Sequence, residues 1–223
     1  MKRVNVLLGG PKSEYPEEMN SIKAIPGPWV GADRGSLYLV QNGVIPEIAM
    51  GDFDSINKKE QKLLKDNISN FYKFPPEKND TDSELCLLAA REKFNAQEYI
   101  IYGGTGGRID HFLVNLFLPF DRRFFDFYDK LYFKSANNTI RFFKPGSYTV
   151  YHEHGMKYIG FINLGPVTRL NLVNAKYKLK DFSADHPVSW ASNEFIGDSI
   201  DFNFGSGVIA VIQSSDAKQN KKG

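Results

Sequence analysis

The chain is 223 residues long, 42% hydrophobic, with 28 lysines and arginines against 26 aspartates and glutamates and a formal net charge of +2. That apolar content supports one large or two small cores and excludes disorder of the bulk; so small a net charge excludes a global field that gathers nucleic acid or an anionic membrane. A single cysteine, Cys86, excludes an intramolecular disulfide and a cysteine-rich zinc site. With no apolar run long enough for a signal-peptide core or a bilayer span, a cytoplasmic protein is expected.

From the N-terminus, Val4–Leu8, Trp29–Ala32, Ile48–Met50, Phe71–Phe74 and Tyr99–Tyr102 read as short strands, several running straight into a turn that contains Gly or Asp. Helical patterns fall between them. One spans Arg34 to Val40 and stops at Asn42-Gly43, a C-terminal signal. A second starts near Thr81, which stands three residues before Glu84 in a capping box and is followed by Leu85, Leu88 and Ala89 on one side. The clearest begins at Arg108: Ile109, Phe112, Leu113, Leu116 and Phe117 form an apolar stripe opposite Arg108, His111 and Asn115, and Pro119 ends it. The alternation predicts an α/β domain with a largely parallel sheet, closed by a strand at Asp129–Phe133.

After Lys144-Pro145-Gly146 the rhythm changes to brief alternating segments, Ser147–His152, Lys157–Ile162, Val167–Val173, Lys176–Phe182, Ser199–Phe204 and Val208–Gln213. Short strands at this spacing predict an all-β sandwich, which sets the domains at 1–143 and 144–223. The polar, basic segment Ser214–Gly223 is expected to fray.

Three segments carry chemistry. Asp52 and Asp54 flank Phe53 just after the run Ile48–Met50, and in an extended chain both carboxylates face one way, fit to share a hard cation such as Mg²⁺. The same residues also suit a capped turn. Asp33 and the acidic segment Glu77 to Asp82 follow other strands, and the carboxyl ends of such strands form the ligand crevice of an open α/β sheet. Converging carboxylates repel phosphate unless a cation intervenes, so they point to a metal-nucleotide complex or a cationic substrate. The third segment, Gly103 to His111, leads from a strand into the Arg108 helix, where backbone N–H groups and the helix end can cradle an anion and Arg108 can clamp it. A tight strand-to-helix turn needs the same glycines. Neither the Gly-x4-Gly-Lys-Ser/Thr loop nor the Gly-x-Gly-x2-Gly spacing is present.

In order and spacing, GADRG, VIPEIAMGDFDSI, EKNDTDSELCLLAA and YGGTGGRIDH resemble the thiamine pyrophosphokinase family, and Ser192-Asn193-Glu194-Phe195 extends the likeness into the β-rich half. The resemblance implies transfer of a diphosphoryl group from ATP to thiamine with Mg²⁺, by a homodimer whose active sites lie at its interface. It implies catalytic roles for Asp52, Asp54, Asp82 and Asp110, the first three as metal ligands, with Asp80 near them. ATP falls to Asp33, Lys78, Asn79, Thr81, Gly104, Thr105, Gly106 and Arg108, and thiamine to Trp190, Ser192 and Asn193. Trp190 suits either ring stacking or the sandwich core. One departure is Asn79, where the family's acidic segment often has aspartate. Two other readings are a metal-dependent nucleotide-sugar transferase, which also uses Asp-x-Asp, and a non-catalytic binding module, which leaves the acidic clusters without purpose.

Overall fold

A computed structural model describes residues 1–75, 77 and 79–216, and its contacts divide the chain into two units, Met1–Ala136 and Asn137–Gly223. Lys78 and residues 217–223 of the expected tail lie outside the described residues.

In the first unit the strands are β1 (Arg3–Leu7), β2 (Trp29–Ala32), β3 (Ile48–Gly51), β4 (Phe71–Lys73), β5 (Glu98–Tyr102) and β6 (Leu131–Lys134), in the order β6-β5-β1-β2-β3-β4. Every neighbouring pair among them is parallel. Runs such as Val4 to Leu7 and Tyr99 to Tyr102 are buried without interruption, as strands covered on both faces must be. The helices are α1 (Arg34–Gln41), α2 (Lys58–Asn67), α3 (Asp82–Phe94) and α4 (Ile109–Phe117). The chain runs outward from β1 through β4, then crosses back to β5 on the other side of β1. That reversal opens a crevice at the carboxyl ends of β1 and β5, where open α/β sheets bind ligands.

Helix positions agree with the sequence reading better than helix faces do. α3 carries the expected capping box, with the Thr81 Oγ1 accepting from the Glu84 N–H and the Glu84 carboxylate accepting from the Thr81 N–H. Its buried side is Cys86, Leu87 and Ala90, while Leu85, Leu88 and Ala89 are half-buried. α4 corrects the expectation more sharply. Ile109 is 74% exposed, Leu113 40% and Phe117 48%, whereas Asn115 on the polar face is 5% exposed. Amphipathicity marks two faces of a helix, but the partner decides which is covered, and here the Asn115 Nδ2 donates to the Gly104 carbonyl. α2 has too weak an apolar stripe to be read from periodicity, burying only Leu64, yet Asn57 and Glu60 form a reciprocal cap at its start.

The second unit contains β7 (Asn138–Phe143), β8 (Gly146–Tyr151), β9 (Tyr158–Asn163), β10 (Val167–Leu172), β11 (Leu179–Ala184), β12 (Val188–Asn193), β13 (Ser199–Phe204) and β14 (Ile209–Ser214). Within this unit they form two antiparallel layers, β12-β9-β14-β7 and β11-β10-β13-β8. Alternate side chains fill the space between, with Ile159, Phe161, Leu170, Phe202, Ile209 and Val211 at its centre. The chain is thus an α/β unit with a parallel sheet followed by an antiparallel β-sandwich. The division falls at 136/137 rather than 143/144, because β7 pairs with β14 along its whole length, from Asn138↔Ser214 to Phe143↔Ile209. β12, polar in composition, is the other strand that the sequence reading left out.

Candidate functional site

Three strand ends converge in the first unit. Asp33 follows β2, Asp52 follows β3, and Asp82 opens α3; one carboxylate oxygen from each lies within 4.8 Å of the others. The backbone is built to allow this. Asp33 has φ +44, outside the usual regions for a non-glycine residue, and its Oδ1 accepts the Phe53 N–H at 3.0 Å, which fixes the carboxylate over the β3 turn. Gly51 makes room for it, since a Cβ there would stand 1.9 Å from Asp33 Oδ1.

Crowding shows in the electrostatics. Burial, then the contact with the Asp82 carboxyl, pushes Asp33 up to about 7, with the Phe53 N–H opposing. Both causes disfavour a negative charge on Asp33 beside its neighbours.

Asp54 stands apart. The expectation of a shared Asp52–Asp54 site assumed an extended chain, but Phe53 has φ +56, so the i, i+2 relation is lost. Asp54 is exposed, and its N–H donates to Asp52 Oδ1 at 2.9 Å in a local turn. Phe53 goes into the core as expected, stacked on Phe71 at 4.6 Å. Asp33, read from sequence as an ATP residue, is the third member of the cluster.

The cluster forms one wall of a 620 Å³ cavity whose other walls are the Leu8–Pro11 loop after β1, the Gly103–Gly107 loop after β5 and the start of α4. The two loops touch closely: the Leu8 N–H donates to the Tyr102 carbonyl, and a Cβ on Gly10 would meet the Gly103 oxygen at 2.3 Å. Gly104, Gly106, Arg108 and His111 line the cavity, as do Asp80 and Thr81. Thr81 spends its hydroxyl on the cap of α3, and Asp80 is held by Arg123 Nη1 at 2.7 Å. Asn79 is exposed. Thr105 is 8% exposed, and its hydroxyl has no partner among the described residues.

Arg108 and Asp110 were expected to serve a ligand separately, and they are each other's partner. Arg108 Nε donates to Asp110 Oδ1 at 3.1 Å, with both side chains exposed at the cavity mouth. The guanidinium holds the Asp110 carboxyl below its ordinary range.

Within the second unit, Leu172, Tyr177, Leu179 and Trp190 line a 270 Å³ hollow. Trp190 meets Phe182 edge-on at 5.0 Å, and its indole N–H is buried without a partner among the described residues. Trp190 packs against the sandwich core on one side and lines the hollow on another. Ser192 sits at φ +56 in a break of the β12–β9 register and is exposed, as a bulge re-aims a side chain. Asn193 is 3% exposed with its amide committed to backbone: Oδ1 accepts from the Tyr177 and Glu194 N–H groups, and Nδ2 donates to the Tyr177 carbonyl. Sequence reasoning placed Asn193 on a ligand; in the structure it lines the hollow while its amide holds the Tyr177 backbone. Sequence reasoning missed Asn115 and the Leu8–Pro11 loop, although Gly9-Gly10 directly after a strand was a usable signal.

Comparison with known proteins agrees with both halves. The family model for "Thiamin pyrophosphokinase, catalytic domain" matches residues 27–127, and that for "Thiamin pyrophosphokinase, vitamin B1 binding domain" matches residues 147–209. The chain is 33% identical over 218 residues to thiamine pyrophosphokinase of Bacillus subtilis strain 168, covering 97% of this chain and 100% of that protein. A crystal structure of a thiamin pyrophosphokinase family protein from Enterococcus faecalis is similar with a TM-score of 0.91 at 38% identity, over 97% of this chain and 100% of the other. The crystal structure of the Bacillus subtilis thiamine pyrophosphokinase is similar with a TM-score of 0.84 at 32% identity, over the same shares.

Proposed function

The chain belongs to the thiamin pyrophosphokinase family, and from that premise we propose that it transfers a diphosphoryl group from ATP to the hydroxyethyl oxygen of thiamine, releasing AMP and thiamine diphosphate. The observation that carries this reading is the meeting of Asp33, Asp52 and Asp82 beside the glycine-rich loop, in one cavity at the carboxyl ends of the strands. Membership of the family displaces the nucleotide-sugar transferase and the non-catalytic module.

The donor set fits Mg²⁺: three carboxylates converge, and burial with crowding raises the Asp33 carboxyl when no cation is there to balance its neighbours. Bound there, the cation would screen the phosphate oxygens. The protein's own part is alignment. Phosphoryl transfer asks little covalent work of a protein, so the catalytic effect lies in holding the thiamine oxygen and the departing AMP in line on either side of the β-phosphorus. Backbone N–H groups of the Gly103–Gly107 loop and Arg108 are suited to the phosphate oxygens, and Asp110 keeps Arg108 extended at the mouth until they arrive. Asp52, whose Oδ1 accepts the Asp54 N–H in the turn, is suited to hold the cation, whereas Asp54 is exposed.

For thiamine, the Trp190 hollow offers an aromatic wall and an indole N–H with no partner among the described residues, Ser192 an exposed hydroxyl, and Asn193 the support that keeps Tyr177 on its rim. A homodimer is supported by the uncovered apolar face of Ile109, Leu113, Phe117 and Phe120, all at least 40% exposed. Cytoplasmic residence is supported by a lone, buried cysteine with no disulfide partner, and no described helix is long and apolar enough to cross a membrane.

The test is chromatography of the nucleotides formed from ATP, thiamine and Mg²⁺. AMP in step with thiamine diphosphate is expected; ADP as the sole thiamine-dependent nucleotide product refutes the diphosphoryl assignment.

A further inference from the structure

Asn115 is a polar side chain that the structure buries, 5% exposed, on the wall of the acidic cavity. Its Nδ2 donates to the Gly104 carbonyl at 2.8 Å, the one described side-chain bond across the base of the glycine-rich loop. That bond fixes the amide's orientation, since turning the group over would set two carbonyl oxygens against each other. Oδ1 therefore points away from the loop backbone, and it is buried with no partner among the described residues. A buried acceptor left unpaired is costly, and such atoms in folded proteins ordinarily have a use.

The missing partner must bring an N–H or O–H hydrogen or a cation, so phosphate oxygens and carboxylates cannot serve, and a cation is already met by the Asp33, Asp52 and Asp82 carboxylates. On the reading given under Proposed function, the donors nearest the phosphate chain are the ribose hydroxyls of ATP, whereas the amino groups of adenine and thiamine lie at the far ends of the two substrates. The hydroxyl of thiamine gives up its hydrogen in the transfer and would leave Oδ1 unpaired afterwards.

We propose that Asn115 is a positioning and specificity-determining residue for the nucleotide, whose Nδ2 holds the glycine-rich loop through Gly104 and whose Oδ1 accepts a ribose hydroxyl of ATP. The two ends of one amide thereby tie the shape of the phosphate cradle to the presence of a ribonucleotide. Asn115 touches no bond that breaks; it sets where the chain of phosphates lies.

The experiment compares ATP, 2′-deoxy-ATP and 3′-deoxy-ATP with the wild type, Asn115→Leu and Asn115→Ser, reading nucleotide KM, thiamine KM and the shift in melting temperature that each nucleotide causes with Mg²⁺. The wild type is expected to take one deoxy analogue about fivefold to tenfold more weakly than ATP, the worth of one hydrogen bond. In Asn115→Leu the three nucleotides become equal within about twofold at a raised KM, while thiamine KM stays unchanged. A merely structural residue would lower stability and leave the ATP-to-deoxy ratio as it was, and that result overturns the proposal. So does a wild type that binds all three alike, a measurement that needs no variant to fold. Discrimination in the thermal shifts without AMP production would instead refute the proposed reaction and leave this assignment standing.

Discussion

Asp33 makes the metal-free protein respond to pH in the sense opposite to ordinary acid denaturation. Its carboxyl, ordinarily near 3.8, is raised to about 7 by burial and by Asp82. Between those values the folded protein holds a proton that the unfolded chain has lost, so the contribution to stability is complete below about pH 4 and disappears as pH rises through 7. A gap of about 3 units at about 1.4 kcal/mol each sets a ceiling near 4 kcal/mol. Because the carboxyl lines an open cavity and Asp82 is among the causes of its shift, about half of that, ~2 kcal/mol, is the working figure. About three-fifths of that, roughly 1.2 kcal/mol, is lost between pH 5 and pH 8, and at about 2–4 °C per kcal/mol for a chain of this length the melting temperature should fall by about 2–5 °C over that window in EDTA. Asp110, Asp121, Asp185 and Glu18 are shifted downward, so their contributions are lost only below about pH 4, outside this window. Saturating Mg²⁺ should flatten the slope, because the cation replaces the proton, and Asp33→Asn should flatten it without metal. Differential scanning calorimetry across pH reads all three. A metal-free wild type whose melting temperature is constant or rises from pH 5 to pH 8, or an Asp33→Asn variant with the same slope, refutes the account.

Other substitutions separate the parts of the site. Gly51→Ala puts a methyl group where Asp33 Oδ1 lies, and misplacing that carboxylate by about 1 Å should cut kcat/KM about tenfold to a hundredfold and weaken Mg²⁺ activation, measured by steady-state kinetics. Arg108→Ala should raise the KM for ATP and slow turnover with no loss of melting temperature, since Arg108 and its partner Asp110 are both exposed. Asn193→Ala leaves the Tyr177 backbone groups unpaired and should cost about 2–3 kcal/mol in urea unfolding; Ser192→Ala, at an exposed position, should leave stability alone and raise the KM for thiamine.

The order of chemistry-bearing motifs is legible because each is local. A glycine-rich turn into a helix, a Thr-x-x-Glu cap and an apolar run ending in aspartate are decided by a few neighbouring residues, and the parallel sheet and the sandwich follow from runs of apolar residues and their period. Thus Asp33, Asp52, Asp82 and Arg108 were all visible as candidates before any fold was known.

Which of them meet was a tertiary decision. A single left-handed residue, Phe53, turned Asp54 outward, and its N–H drew in Asp33 from a different strand, a contact that no local pattern encodes. The burial of α4 was undetermined for a like reason: periodicity reports that a helix has two sides, while the Gly104 carbonyl, eleven residues away, drew in Asn115 alone from the polar one and left Arg108 and His111 exposed. Asn193 likewise gives its amide to Tyr177, sixteen residues earlier, and β7 joins β14 across most of the second unit. Short-range sterics and hydrogen bonding fixed the elements and their caps; burial and the pairing of distant backbone groups assigned each polar side chain its partner.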